Sequence, residues 1–357
     1  MDNLAHTLVG AALGRAIAGH RIRGAGLVGA VAGNAPDWTE LLAAPGVGPP
    51  RSGLTYLEWH RGITHSLLGA AIEIAALTLL VGLGELWWSR RRGRPAAPWP
   101  WLALCMAAAV LSHLYLDWQG SYGLRPFLPW SGRWYYADWV AIVDPVFWLA
   151  PLVALLLGER RHWRPALVGL LTLGGVAWLV LSRGGEAVAG WLRLLTLVAC
   201  GLAVVGWVRH WFGVAGRRRA AGYGLLTLGL YVAANAVASL PRKAHAREAA
   251  QRRFGPGAEW AALTVIGQPF HWTPLYASAD SVAEPDWAVA RHLDDPAVAR
   301  ALRDTPQGRA MAQFARFLTA EVDSSGPGVV VYLRDARYAR AARDGWGVVA
   351  VRMDRAP

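Results

Sequence analysis

Six apolar segments, each long enough to cross a bilayer, decide what this chain can fold into: residues 65–86, 99–117, 139–157, 165–182, 191–208 and 221–240. A spanning helix needs roughly 20 predominantly apolar residues, since it rises ~1.5 Å per residue through a hydrocarbon layer ~30 Å thick. No water reaches that layer, so each segment must satisfy its own backbone, and a helix does so. Composition agrees: 54% of the 357 residues are hydrophobic and 17% charged, too apolar and too poor in charge for a soluble chain.

Two shorter glycine-rich apolar stretches come first, residues 4–18 and 25–35, joined by the basic turn His20-Arg21-Ile22-Arg23-Gly24. Each is below spanning length, so the pair reads as a helical hairpin that dips into the membrane without crossing it. Residues 45–53, dense in Gly and Pro, read as a surface loop. After Pro241 the composition becomes that of a soluble domain. Its β-like runs at 262–266, 329–333 and 348–351 alternate with helical ones, notably 306–322, which opens on Thr305 as N-cap. The expected fold is an all-α polytopic membrane domain over 1–240, an N-terminal helical hairpin plus about six transmembrane helices. A small α+β cap domain, extracytoplasmic, follows over 241–357.

The net charge of +12 does not point to nucleic acid, because the arginines cluster between apolar segments. Arg90-Arg91-Arg92 with Arg94, Arg160-Arg161 with Arg164, and Arg209 with Arg217-Arg218-Arg219 mark the first, third and fifth connections, whereas Arg183 in the fourth is balanced by Glu186. Positive loops stay in the cytoplasm, which puts the opposite ends of the helices and the C-terminal tail outside. Cys105 and Cys200 lie in apolar runs without metal or redox spacing. The first residues lack the basic start of a signal peptide and are expected to be retained.

On that outer face the sequence collects metal-ligand chemistry. His60-Arg61-Gly62-Ile63-Thr64-His65-Ser66 holds two histidines astride a glycine, able to converge on one ion. His113 and Asp117, four apart, share one helix face. Asp144, followed by Pro145, is an acid within a spanning segment, where ionisable groups are costly unless functional or paired. With His6 and Asp37 the candidate ligands are His6, Asp37, His60, His65, His113, Asp117 and Asp144, and Asp2 and Asp138 are second candidates. This set suffices for one or two zinc ions or another divalent metal. Asp2 and Asp138 read equally well as helix caps. Glu73, inside its span, reads as a support of the ligands or as a partner of another helix. His20, His162, His210, His245, His271 and His292 read as solvated surface residues. No His-Glu-x-x-His, Gly-x-Ser-x-Gly or phosphate loop is present.

Taken together, Asp2-x-x-x-His6, Asn34-Ala35-Pro36-Asp37, the His60 to Ser66 block, His113-x-x-x-Asp117, Tyr122-Gly123, Pro126-Phe127, Asp138 and Asp144-Pro145 resemble the YdjM family. These are bacterial inner-membrane proteins described as membrane-bound metal-dependent hydrolases, and the resemblance is close over residues 1–150. The family is compared with zinc-dependent phospholipase C, which implies a phosphodiester or lipid-like substrate. The expected activity is hydrolysis by a metal-activated water, with Asp37 or Asp144 as general base and Arg61 and Arg125 holding a phosphate. The expected partners are the lipid bilayer and a lipid or other phosphoester substrate. A metal transporter and a non-catalytic, metal-stabilised scaffold or sensor are the rival readings.

Overall fold

The computed structural model describes residues 1–41, 60–158, 163–183, 187–212 and 216–354. The loop expected at 45–53 and the residues Arg160, Arg161, His162 and Glu186 lie outside them. The described chain divides into two compact units. The first comprises Met1–Trp38, Arg61–Val237 and Thr264–His271; the second comprises Thr39–His60, Ala238–Leu263 and Trp272–Pro357.

The first unit opens with α1 (Asn3–Ala18) and α2 (Ala25–Gly33). Asp2 starts α1 by accepting the Ala5 N–H at 3.0 Å, satisfying one of the donors a helix start leaves unpaired. The two helices touch backbone to backbone: a Cβ on Gly10 or Gly29 would run into the other residue's carbonyl oxygen. Small residues bring two helices this close where burial in lipid gives no hydrophobic drive. A 3₁₀ turn at Ala35–Asp37 ends the pair and runs into a single helical turn, Trp38–Leu41.

Four long apolar helices follow in this unit, with a short one among them. They are α3 (Leu67–Arg91), α4 (Trp99–Trp118), α5 (Pro145–Leu157), α6 (Trp163–Ser182) and α7 (Gly190–Val208). A last helix, α8 (Arg217–Phe254), begins here and continues into the second unit. Five of these six are long and apolar enough to span a membrane. The exception is α5, with 13 residues where a span over 139–157 was expected. It starts late because Asp144 caps it, accepting the Val146 N–H at 2.9 Å, and Pro145 occupies the first turn, where no N–H is needed. Asp144 therefore marks the end of a helix rather than its interior. Asp138 does not start α5; it sits in the preceding loop with φ 50°.

Two apolar cores hold the unit together. One gathers Leu8, Phe147, Leu152, Leu192 and Leu228, and the other Leu102, Met106, Val110 and Leu114. Much of α3, α6 and α7 turns large apolar side chains outward, among them Leu80, Leu171 and Leu194, each more than 60% exposed, as lipid-facing helices do. The arginines that close α3 lie over tryptophan rings, Arg91 on Trp87 at 4.0 Å and Arg92 on Trp88 at 4.3 Å, a combination suited to a headgroup layer.

Helix α8 continues past the apolar segment 221–240 and through Pro241 to Phe254. The second unit carries two antiparallel sheets. The first has the order β1-β2-β3-β4 (Glu259–Thr264, Trp272–Ala277, Ser281–Glu284, Trp287–Ala290). After α9 (Pro296–Asp304) and α10 (Pro306–Phe314) comes the second, β5-β6-β7 (Leu318–Asp323, Val329–Asp335, Val348–Met353). Thr305 caps α10 as expected, accepting the Gly308 N–H at 2.9 Å. The helix nevertheless ends at Phe314 rather than at residue 322. Residues 318–323 pair with 330–335, and that ladder with the next strand overrides the local helical pattern.

Candidate metal centre

The geometry around His113 starts with a carbonyl. Gly33, the last residue of α2, accepts the His113 Nδ1–H at 2.7 Å and so turns Nε2 into the space between the helices. His65 is held in the same sense: its Nδ1 is 3.1 Å from the Thr64 hydroxyl, and its Nε2 points inward. A 3₁₀ turn, Ile63–His65, and the Ser66 cap of α3 fix that histidine, Ser66 Oγ accepting the Gly69 N–H at 3.0 Å.

The inward atoms converge. His113 Nε2 is 3.1 Å from His65 Nε2, 3.4 Å from Asp37 Oδ1 and 3.5 Å from Asp117 Oδ2. His65 Nε2 is 3.1 Å from Asp37 Oδ1 and 3.3 Å from Asp117 Oδ2. His6 Nε2 stands 3.4 Å from Asp117 Oδ1, its ring stacked on His113 at 3.7 Å. Two groups emerge whose ligand atoms are mutually close: Asp37, His65 and His113, and His6, His113 and Asp117.

These separations fit a metal ion. Ligand atoms bound tetrahedrally at about 2.0–2.1 Å stand about 3.3 Å apart, which is the spacing seen here. The donor set, imidazole nitrogen with carboxylate oxygen, suits zinc and its neighbours. Neither ring nitrogen of the buried His6 makes a hydrogen bond, so the arrangement leaves a buried ligand atom for an ion to satisfy. Burial, reinforced by His113, lowers the His6 pKa to about 3 and keeps the ring neutral, the form that ligates. Burial alone would favour a neutral Asp37, but hydrogen bonds from His113 and His65 outweigh it and hold the carboxyl well below its usual range. Asn3 Nδ2 donates to its other oxygen at 3.1 Å.

Arg61 anchors the far side. Its Nη2 donates to Asp117 Oδ1 at 2.7 Å and its Nη1 to the carbonyls of Gly123 at 2.6 Å and Asp117 at 3.2 Å, while the guanidinium covers the Tyr122 ring at 4.5 Å. The Met1 amino group also contacts Asp117 Oδ1. Gly123 presents its carbonyl from a left-handed conformation, φ 80°, where a Cβ would strike the Tyr136 ring. Arg61 is thus committed to orienting Asp117 rather than free to clasp a phosphate. Arg125 is buried beside it over Trp134, 4.8 Å from the ring, with Nη2 3.5 Å from the Arg61 carbonyl.

Of the residues expected from sequence, the structure brings together His6, Asp37, His65, His113 and Asp117. His60 is buried but belongs to neither ligand group. Asp144 stands apart: one oxygen caps α5 and the other accepts the Tyr231 hydroxyl at 2.5 Å, beside a small cavity shared with Trp139, Asn235 and His271. Both oxygens being engaged, it is not placed to serve as a ligand or a base of this centre. Asp2 caps α1 and accepts the Trp148 indole N–H at 2.8 Å. His20, His210, His245, His271 and His292 are exposed. Sequence reading missed Gly33 and Thr64 as orienting partners, and only the neighbouring Asn34-Ala35-Pro36-Asp37 and His60 to Ser66 blocks hinted at them.

A family model described as YdjM inner membrane protein matches residues 1–240. No curated protein and no solved structure matches the chain.

Proposed function

We propose that this chain, which belongs to the YdjM inner membrane protein family, is a membrane-bound metal-dependent hydrolase of a phosphoester or lipid-like substrate. The observation that carries the reading is the convergence of His6, Asp37, His65, His113 and Asp117 at ion-binding distances. These residues would hold a divalent ion, zinc by donor type, which would supply Lewis acidity to activate water near neutral pH and to offset charge on a phosphoryl oxygen.

The protein's own part follows from the contacts. His65 and His113 present their Nε2 atoms to the centre, positioned by Thr64 and Gly33. Arg61 balances the Asp117 charge and keeps its second oxygen turned to the histidines. Asp37, its side chain 11% exposed against 0–2% for the other four, marks the side from which substrate and water enter. An open side favours catalysis over a purely structural ion, which is enclosed by four protein ligands. The alternation of arginine-rich connections turns this side and the C-terminal domain outward, at headgroup depth.

The test is elemental analysis of the purified protein together with hydrolysis of bis(4-nitrophenyl) phosphate and phosphatidylcholine vesicles. The expected result is bound metal, and activity abolished by chelation and restored by zinc. Protein that holds metal and hydrolyses neither probe would favour the scaffold or sensor; metal accumulated in vesicles would favour the transporter.

A further inference from the structure

Hydrolysis needs a group that exchanges protons, and the acids of the centre are already occupied. Asp37 is bonded to His65 and Asn3, Asp117 to Arg61 and the histidines, and Asp144 to the start of α5 and Tyr231. One carboxylate near the centre has no such employment. Glu73 lies about two turns into α3 from Ser66. Both its oxygens are shielded from solvent and neither makes a hydrogen bond of normal geometry, although the Trp38 indole approaches. Its electrostatic neighbours are His65, His113 and Asp37. The helix that carries it packs on the Ala35–Asp37 turn, the partly exposed side of the centre. A carboxyl kept inside an apolar span with only an approaching indole to meet it is expensive, and such residues are read as functional first.

We propose that Glu73 is the acid–base residue of this centre, carrying the proton of the attacking water to the leaving oxygen; the inference rests on the hydrolase reading above. The water oxygen forms the new bond to phosphorus as the bond to the leaving oxygen breaks. One proton passes from that water to the Glu73 carboxylate and from there to the leaving alkoxide. A phosphodiester gives a phosphomonoester and an alcohol, and Glu73 returns to its starting form. Neither Asp37 nor Asp144 is needed as the base.

The experiment uses the full chain loaded with zinc, and compares wild type with Glu73→Gln, Glu73→Asp and Glu73→Ala. Metal content, kcat and KM are read on bis(4-nitrophenyl) phosphate, with and without added formate. Glu73→Gln is expected to keep its metal and lose about 100-fold or more in kcat, with KM within about threefold. Glu73→Asp should retain part of the rate, and formate should restore part of it to Glu73→Ala. A wild type that hydrolyses the probe while Glu73→Gln stays within about threefold of it overturns this inference alone. Loss of metal in Glu73→Gln, or a Glu73→Ala variant that formate does not restore, assigns Glu73 a structural role and overturns it too. A zinc-loaded wild type without activity overturns the hydrolase reading and this inference together.

Discussion

Asp117 divides its two oxygens among three histidines and Arg61, so the centre is sensitive to the arginine as well as to the ligands. The pair is buried, and removing one partner of such a pair costs up to about 3–5 kcal/mol, here lessened because the Met1 amino group also meets Asp117 Oδ1. Arg61→Ala should therefore weaken zinc affinity about 10- to 100-fold, as losses of orienting partners do. Arg61→Lys should fare little better, since a point charge does not reach Asp117 and the Gly123 carbonyl together. Competition with a chelator measures both. Undiminished affinity in Arg61→Lys would show that the forked geometry is idle. That His65, His113 and Asp117 are candidate ligands was legible from spacing and residue type, and the structure brings the three together. The role of Arg61 was not, because a guanidinium beside a metal site reads as a phosphate clamp until its hydrogen bonds are seen.

At the scale of elements, the centre depends on how closely α1 approaches α2, since that contact carries His6 and the Gly33 carbonyl to His113. Gly29→Val would force Gly10 away. The expected loss is about 1–3 kcal/mol, the usual cost of overpacking, with a lower melting temperature and less bound metal. Gly174 in α6 provides the contrast, having open space where a Cβ would go. Gly174→Ala should leave metal content unchanged and stability equal or raised by up to about 1 kcal/mol, as helix propensity dictates. Thermal unfolding with metal analysis reads both variants. Equal behaviour of the two would mean that the close approach of α1 and α2 does not hold the centre. The glycines were visible in the sequence as two short apolar stretches, but which glycine meets which carbonyl depends on the rotation of one helix against the other.

The whole molecule combines a helical membrane unit with a smaller unit of two antiparallel sheets. The arginine pattern predicts that the C-terminus is outside. A reporter active only in the cytoplasm, fused after Pro357, should be silent, and one active only outside should report; the opposite pair of results would reverse the orientation. Within the first unit, the segment Thr264–His271 returns to the membrane helices after the strand β1. Ser121 Oγ accepts the Thr264 N–H at 3.2 Å, Gly267 O accepts the Ala189 N–H at 2.9 Å, and Asn235 Oδ1 accepts the Phe270 N–H at 3.3 Å. A boundary drawn at Pro241 from composition misses this return, because nothing local in 264–271 marks it as part of another unit.

By itself the sequence determined the membrane class, five of the candidate spans, most of the residues that cluster in the candidate centre and the family, because length, apolar content and residue chemistry are local properties that no packing revises. Tertiary structure decided what depends on distant partners. It set Asp144 and Arg61 to capping and orienting rather than catalysis and phosphate binding. It ended α10 early in favour of a strand, and it left the shielded Glu73 carboxylate without a hydrogen bond of normal geometry. Asp144 meets the Tyr231 hydroxyl and Arg61 meets Asp117 across tens of residues of chain, and residues 318–323 find their ladder partner in the next strand, so satisfying a buried polar group or a ladder outweighs the local preference of the chain.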